Sequence, residues 1–234
     1  MTHPQDNEYW SRFWSEYKAD VADKDEQSQV LRTRNKMPID GEKWELTLRT
    51  VAAQLELSGS DTLLDLCCGN GLFAAAFSNR IASVEAVDIS APLIERLNAR
   101  ALSNVHAEAK DIRDAAFDGQ SFSKVLWYAG IQYIDEGHIV QMLRKVRRWM
   151  KPGGILLIGD IPDRSKLWTY FNDAARQAAY FDGLAHRQPI IGTWLDAEWI
   201  EKLCLSAGFS EAHTIAQNAG LIYADFRYDL IART

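Results

Sequence analysis

From Thr62 onward the chain alternates short apolar runs with segments of helical periodicity. Thr62-Leu63-Leu64-Asp65-Leu66 reads as a strand that ends in a Gly-containing turn, and Leu72 to Asn79 reads as a helix. Ser83 to Val87 is a second strand ending at Asp88, followed by a helix from Ala91 to about Leu102. Val105 to Glu108 forms a short third strand before Asp111, and Lys124 to Tyr128 a strongly apolar fourth. A helix spans roughly Glu136 to Met150, and Gly154 to Gly159 is the fifth strand. Apolar strands separated by helices of this length predict a parallel sheet covered on both faces.

The flanks follow other rules. Tyr9 to Tyr17 places aromatics at helical spacing, predicting a short amphipathic helix. A polar stretch covers Asp20 to Gln29, and Asp40 is a plausible N-cap for a helix to about Leu57. No strand is expected before Thr62. Beyond Asp160 the alternation stops: Ile161 to Leu195 is rich in aromatics and reads as mostly helical. A helix from Asp196 to Ala207 ends at Gly208, a C′ position. Phe209–Gln217 and Phe226–Ala232 then read as two strands paired in a hairpin. Five parallel strands closed by a hairpin is an unusual ending for a dinucleotide dehydrogenase.

Composition narrows the partners. A chain of 234 residues supports one sizeable core. The formal charge is −6, and the densest basic run (Arg144, Lys145, Arg147, Arg148) sits on one predicted helix as a solvated face. Nucleic-acid binding is therefore not expected, and a small-molecule acceptor is. The three cysteines are odd in number, with Cys67 and Cys68 adjacent, and fit neither a disulfide framework nor a zinc site. The first residues lack a signal-peptide pattern and no apolar run is long enough to span a bilayer, so the expected address is cytoplasmic, with no membrane contact. The chain is expected to act as a monomer or homodimer, without a metal.

The chemistry is concentrated at Asp65-Leu66-Cys67-Cys68-Gly69-Asn70-Gly71. Open α/β sheets bind ligands beyond the carboxyl ends of their strands. Glycines at that position let backbone amides approach a ligand closely. Asp88 ends the next strand nineteen positions after Gly69, a spacing suited to a carboxylate accepting ribose hydroxyls. Gly69-Asn70-Gly71-Leu72-Phe73-Ala74 also fits a dinucleotide fingerprint. Asp65 separates the two readings. Its charge would repel a pyrophosphate but suits the ammonium of a methionine moiety. The long N-terminal extension and the closing hairpin point the same way. A nicotinamide-dependent oxidoreductase remains the lesser alternative.

From Thr62 to Thr234 the sequence resembles the class I S-adenosylmethionine-dependent methyltransferases. Leu63 to Gly71 matches the first motif, Val87-Asp88-Ile89-Ser90 the acidic second motif, Lys110-Asp111-Ile112 the adenine-contacting segment, and Lys151-Pro152-Gly153-Gly154 the turn before the fifth strand. The resemblance implies an α/β, Rossmann-like seven-stranded sheet, mostly parallel with the last strand antiparallel, and helices on both faces. It implies a methyltransferase domain over 58–234 with a lid insertion at about 161–195, behind an N-terminal helical cap over 1–57. It implies S-adenosyl-L-methionine as cofactor, with Cys67, Gly69, Asn70 and Gly71 forming the loop around it. Asp65 would hold the donor's amino group, Asp88 its ribose, Ile89 and Ile112 its adenine, and Asp111 the adenine amino group. Tyr128 would lie at the methionine end. Ser123 departs from the acidic residue often found at the start of the fourth strand. A narrower resemblance, through Gly159 to Asp163, Ile191 to Trp194 and Tyr223 to Asp229, is to methyltransferases of bacterial surface-polysaccharide and small-metabolite pathways.

Such a reaction is an in-line displacement, in which positioning is worth roughly 7–11 kcal/mol. A general base is needed only for a hydroxyl or a protonated amine. Asp160 and Tyr133 are candidates near strand ends, and His186 is a third within the insertion. His106, His138 and His213 are read as structural or exposed. The N-terminal aromatic segment and the 161–195 insertion are candidate lids. Arg32, Arg34 and Lys36 could receive an anionic acceptor, but are read as a solvated segment. The fourth strand ends in Tyr128-Ala129-Gly130-Ile131, which lacks the pattern of nucleic-acid amino-methylating enzymes, and Asp160 alone does not make a metal cluster. The expected function is methyl transfer to O or N of a small polar metabolite such as a sugar or surface-polysaccharide precursor. The alternative of another class is a catalytically silent binding protein of the same fold.

Overall fold

The computed structural model describes residues 8–17, 25–34 and 36–234. Part of the expected polar stretch at 20–29 lies outside them. Its end, Glu26–Gln29, forms a one-turn helix, α2, capped by the Asp25 carboxylate. It follows α1 (Glu8–Glu16) and precedes α3 (Gly41–Gln54), whose N-cap is Asp40 as expected. Contrary to expectation, strand does occur before Thr62: Thr33–Arg34 and Met37–Pro38 pair as a small antiparallel ribbon. A ribbon of two residues per side is too short to carry a periodic signal.

The main sheet contains β1 (Thr62–Leu66), β2 (Ser83–Asp88), β3 (Val105–Ala109), β4 (Phe122–Tyr128), β5 (Met150–Pro162), β6 (Glu211–Ala216) and β7 (Arg227–Arg233). Their spatial order is β3-β2-β1-β4-β5-β7-β6. The pairings among β1 to β5 are parallel, and β7 runs antiparallel to both β5 and β6. The sequence expectation of a mostly parallel sheet with its last strand reversed is met. Between the strands lie α4 (Leu72–Ser78), α5 (Ala91–Ala99) and α6 (Glu136–Trp149); α7 (Leu167–Tyr170), α8 (Ala174–Ala185) and α9 (Ala197–Ser206) follow β5.

Period-two alternation along the buried strands divides the core. Leu64, Leu66, Val125, Trp127, Leu156 and Ile158 pack with α6 and α9 on one face. Leu63, Leu126, Tyr128, Ile155 and Leu157 pack on the other. That second face includes Val51, Ala52 and Leu55 of α3, so the last N-terminal helix shares the core of the sheet domain. Ser123 donates to Asp61 Oδ1 at 2.7 Å and accepts the Thr62 N–H at 3.0 Å. The carboxylate bracing the start of β4 is thus supplied by Asp61.

β5 is longer than its apolar run, and irregular at both ends. Gly153, at φ 73°, sits where the turn Lys151–Gly154 was expected, and pairing with β4 shifts register between Phe122 and Lys124. A second shift, between Ile158 and Ile161 against β7, contains Asp160 at φ 62°. Bulges of this kind re-aim a side chain out of the ladder. Gly159 beside it has the Tyr128 ring where a Cβ would stand, 2.2 Å from Cδ2.

Candidate active site

A cavity opens at the carboxyl ends of β1, β2, β4 and β5. Its floor on one side is Asp65, Cys67, Cys68, Gly69, Asp88, Ile89, Asp111 and Ile112. On the other side lie Arg32, Tyr128, Gln132, Tyr133, Asp160, Tyr223 and Arg227. Trp10 and Trp14 of α1, with Val30 and Leu31 of the strap that follows α2, complete the wall. The strap lies directly on the glycine loop: a Cβ at Gly69 would stand 2.7 Å from Val30 Cγ1, and Gly69 itself adopts φ 57°.

Most expected donor residues meet here. Asp88 accepts the N–H of Gly69 and the N–H of Ser90, both at 2.8 Å. Burial pushes its carboxyl up against those two bonds. Asp65 is 2 % exposed, and its Oδ2 is buried without a hydrogen-bond partner. Burial, with the charge of Asp88 second, drives its carboxyl up to about 8. The Cys67 and Cys68 thiols are raised as well, first by burial and then by these carboxylates, so both remain protonated.

Asp111 also lines the cavity, but not as a free acceptor. Arg113 grips it through Nε at 3.0 Å to each oxygen and through its backbone N–H at 2.8 Å. Burial raises the Asp111 carboxyl, but these bonds outweigh it and hold it below the usual range. The same guanidinium donates to Ser11 Oγ of α1 at 2.8 Å, tying the N-terminal helix to the site.

Two loop residues point elsewhere. Asn70 is buried and donates to the Glu26 carbonyl at 2.8 Å and to Gln29 Oε1 at 2.9 Å. It clasps α2 rather than facing the cavity. Gly71, at φ 77°, starts α4 and faces Leu97. Of the base candidates, Asp160 and Tyr133 line the cavity, and His186 does not. His186 is the exposed C-cap of α8, bonded to Asp182. No residue of 161–195 lines the cavity; the cover comes from α1 and the strap. Burial raises the Tyr133 phenol to about 12, so it stays protonated at neutral pH. Its ring packs on Trp10 and Trp14, with centroids 4.8 and 5.4 Å away.

The largest departure from the sequence reading is Arg32. It is not solvated: it is 7 % exposed, with its guanidinium 5.0 Å over the Tyr128 ring and 3.5 Å from Asp160. Arg34 is exposed and bonds the Ile222 carbonyl and Asp225, and Lys36 is exposed. Arg227, which the sequence reading did not single out for the site, donates to Gln132 Oε1 at 2.7 Å and to the Asp160 carbonyl at 2.6 Å. Its sequence signals are a charge opening an apolar terminal strand and its place in the Tyr223 to Asp229 segment of the narrower resemblance.

Residues 63–154 match the family model described as a methyltransferase domain. An uncharacterized methyltransferase of Mycobacterium tuberculosis is 33% identical over 101 residues, 43% of this chain and 50% of that protein. A ubiquinone biosynthesis O-methyltransferase of Coxiella burnetii is 27% identical over 126 residues, 53% of each chain. The chain thus spans about half the length of these curated relatives. In structure, an S-adenosylmethionine-dependent methyltransferase from Mesorhizobium loti superposes with a TM-score of 0.61 at 18% identity, over 83% of this chain and 99% of that one. At that identity the likeness speaks for the fold.

Proposed function

We propose that this chain, whose residues 63–154 match a methyltransferase domain, is a class I S-adenosylmethionine-dependent methyltransferase that transfers the donor's methyl group to an oxygen or nitrogen of a small polar metabolite. The observation that carries this reading is the orphaned, buried Oδ2 of Asp65 in a cavity whose floor also holds Asp88. Burial and the charge of Asp88 hold the Asp65 carboxyl protonated, and a cationic partner is what would let it ionise there. The donor's ammonium is such a partner, whereas the pyrophosphate of a dinucleotide would add negative charge. Ile89 and Ile112 supply the apolar walls for a base, and Asp88 the acceptor for ribose hydroxyls.

When bound, S-adenosylmethionine supplies a methyl group activated by a sulfonium centre. The residues of this chain do the rest. Asp65 and Asp88 orient the two ends of the donor. Trp10, Trp14 and the Val30–Leu31 strap keep water from the reacting centre, which strengthens every electrostatic contact inside. Tyr133 keeps its proton and serves as a donor. Asp160 is the carboxylate lining the acceptor half among the described residues, and accepts a proton where the acceptor is a hydroxyl or a protonated amine.

The test has two arms. Calorimetry with S-adenosylhomocysteine should give saturable binding, and NAD should give none. Labelled S-adenosylmethionine incubated with hydroxyl- and amine-bearing metabolites, sugars included, should then transfer label. Saturable NAD binding without a response to S-adenosylhomocysteine would sink the reading, while donor binding with no transfer across the panel would favour a silent binding protein.

A further inference from the structure

Tyr133 and Asp160 reach the acceptor half of the cavity from different strand ends, and each is held to one role. Tyr133 closes the 3-10 turn Ile131–Tyr133 that follows β4. The 161–195 insertion braces this turn from outside. The Thr193 N–H donates to the Gln132 carbonyl at 2.8 Å, and the Thr193 hydroxyl to the Ile134 carbonyl at 2.9 Å. The Tyr133 ring is fixed in turn by its packing on Trp10 and Trp14.

Its hydroxyl is set by Gln132, which is buried beside it. Gln132 Oε1 accepts from Arg227 at 2.7 Å, so the end of the amide still free to bond is its NH2 group. Arg227 is itself tied to the Asp160 carbonyl at 2.6 Å. Burial pushes the Tyr133 phenol up, and a hydrogen bond from the Gln132 side chain works against that push, the direction expected of a bond donated to the phenol oxygen. A phenol oxygen that accepts from Gln132 keeps its own proton to give. Tyr133 therefore meets the cavity as a donor.

Asp160 meets it as an acceptor. Its buried carboxylate lies 3.3 Å from Gln217, 3.5 Å from Arg32 and 3.6 Å from Arg227. Charge-assisted bonds run near 2.7–2.9 Å, so these long contacts leave lone pairs unspent. Charge adds no further demand. The methyl donor's own carboxylate answers Arg32 over Tyr128, and buried Asp229 shares the Asp160–Gln217 network with Arg227. What the acceptor half calls for is a neutral group that takes one hydrogen bond and gives one.

We infer that the methyl acceptor is a neutral hydroxyl rather than an amine, gripped by the Tyr133 O–H and the Asp160 carboxylate, with Gln132 as the positioning residue that aims Tyr133. A hydroxyl has one proton and two lone pairs. The proton faces Asp160, one lone pair takes the Tyr133 O–H, and the other is left for the methyl carbon. As the oxygen–carbon bond forms, the carbon–sulfur bond breaks with its electron pair on sulfur, leaving a neutral thioether, and Asp160 takes the hydroxyl proton. A neutral amine has a single lone pair, and Tyr133 would occupy it. The inference rests on the methyl-donor reading and narrows its acceptor atom from oxygen or nitrogen to oxygen.

Phenol and aniline, alike in shape, are the probes, with labelled S-adenosylmethionine for transfer and calorimetry on the S-adenosylhomocysteine complex for binding. Aniline is the stronger neutral nucleophile, so a preference for phenol must come from the site. Label should pass to phenol at least about tenfold faster than to aniline. Tyr133→Phe should weaken phenol binding roughly three- to tenfold and collapse the preference, while S-adenosylhomocysteine still binds. Gln132→Glu keeps the shape and the bond to Arg227, but its second oxygen accepts and draws the Tyr133 proton away from the cavity. It should reproduce Tyr133→Phe, and the double variant should lose nothing more, a non-additivity that a merely structural role would not give. Gln132→Met, which withdraws the amide without adding a charge, takes its place if Gln132→Glu does not fold. Equal or faster transfer to aniline, no transfer to phenol, a preference that survives Tyr133→Phe, or additive losses in the double variant would each overturn the inference. Failure of the unaltered protein to bind S-adenosylhomocysteine counts instead against the methyl-donor reading, and phenol calorimetry without it still reads the Tyr133 contact.

Discussion

Asp88 accepts the backbone N–H of Gly69 at 2.8 Å, so the carboxylate that ends the second strand also holds the glycine loop after the first. Its other oxygen accepts from Ser90, at the start of α5. One side chain therefore shapes the loop, positions the next helix and faces the cavity. Asp88→Ala removes two buried bonds to backbone N–H groups, each worth roughly 1.5–3 kcal/mol with a charged acceptor. The expected outcome is loss of S-adenosylhomocysteine binding together with a lower melting temperature. Asp88→Asn retains one acceptor oxygen and should lose less stability than affinity. Equal losses in the two variants, read by calorimetry and thermal melting, would argue against a separate ligand role.

Asp65 sets affinity against stability. Its carboxyl, raised to about 8 by burial and Asp88, binds more protons in the native state than in the unfolded chain between about pH 4 and 8. Stability contributed by this site therefore falls as pH rises through that window. Asp65→Asn removes that penalty and should raise the melting temperature at pH 8 more than at pH 5. The same change should weaken donor binding by about ten- to a hundredfold, the loss of a charged hydrogen bond. A melting temperature lowered equally at both pH values would refute the account.

The same carboxyl predicts proton linkage in binding. A cationic partner favours ionised Asp65, so affinity for S-adenosylhomocysteine should rise from pH 6 to pH 8. At pH 7 binding should release a proton, visible as a dependence of the calorimetric enthalpy on buffer ionisation heat. Asp65→Asn should abolish that dependence.

How much of this was legible in the sequence depended on the range of the interactions. The strands and the loop were readable because Leu63, Leu64 and Leu66 and the run Val125 to Tyr128 are apolar and lead into turns that need glycine. Asp88 and Asp160 follow from where the second and fifth runs stop, and Asp65 from the charge that interrupts the first. Arg32 was misread because its neighbours Arg34 and Lys36 are exposed, and no local pattern says that one of three cations folds under Trp44. Asn70 stands inside the motif, yet its partners are Glu26 and Gln29, more than forty residues earlier. His186 looked useful because the insertion resembles a lid, but α8 packs its aromatic residues with Phe171 and Trp168, outside the cavity.

Gly159 tests whether Tyr128 positions the acceptor half. A Cβ there would lie 2.2 Å from Tyr128 Cδ2, so Gly159→Ala must displace the ring. Overpacking of this kind costs about 1–3 kcal/mol. Because Arg32 stacks on that ring, transfer should suffer more than donor binding. Unchanged transfer in a folded variant would dismiss the role of Tyr128.

Asn70 offers the sharpest separation of cover from contact. It lines no part of the cavity, yet its amide donates twice to the segment whose continuation, Val30 and Leu31, lies over the glycine loop. Asn70→Ala removes two neutral hydrogen bonds of about 1 kcal/mol each, and should loosen the strap without touching the ligand. The strap is then expected to exchange its amide hydrogens faster, and S-adenosylhomocysteine to dissociate roughly tenfold faster, while its association rate stays the same or rises. If Asn70 instead contacts the donor, as the motif alone suggests, the variant should lose affinity with no change in strap exchange. Stopped-flow dissociation and hydrogen exchange over residues 25–34, measured on the same variant, distinguish the two, because only a loosened cover moves both.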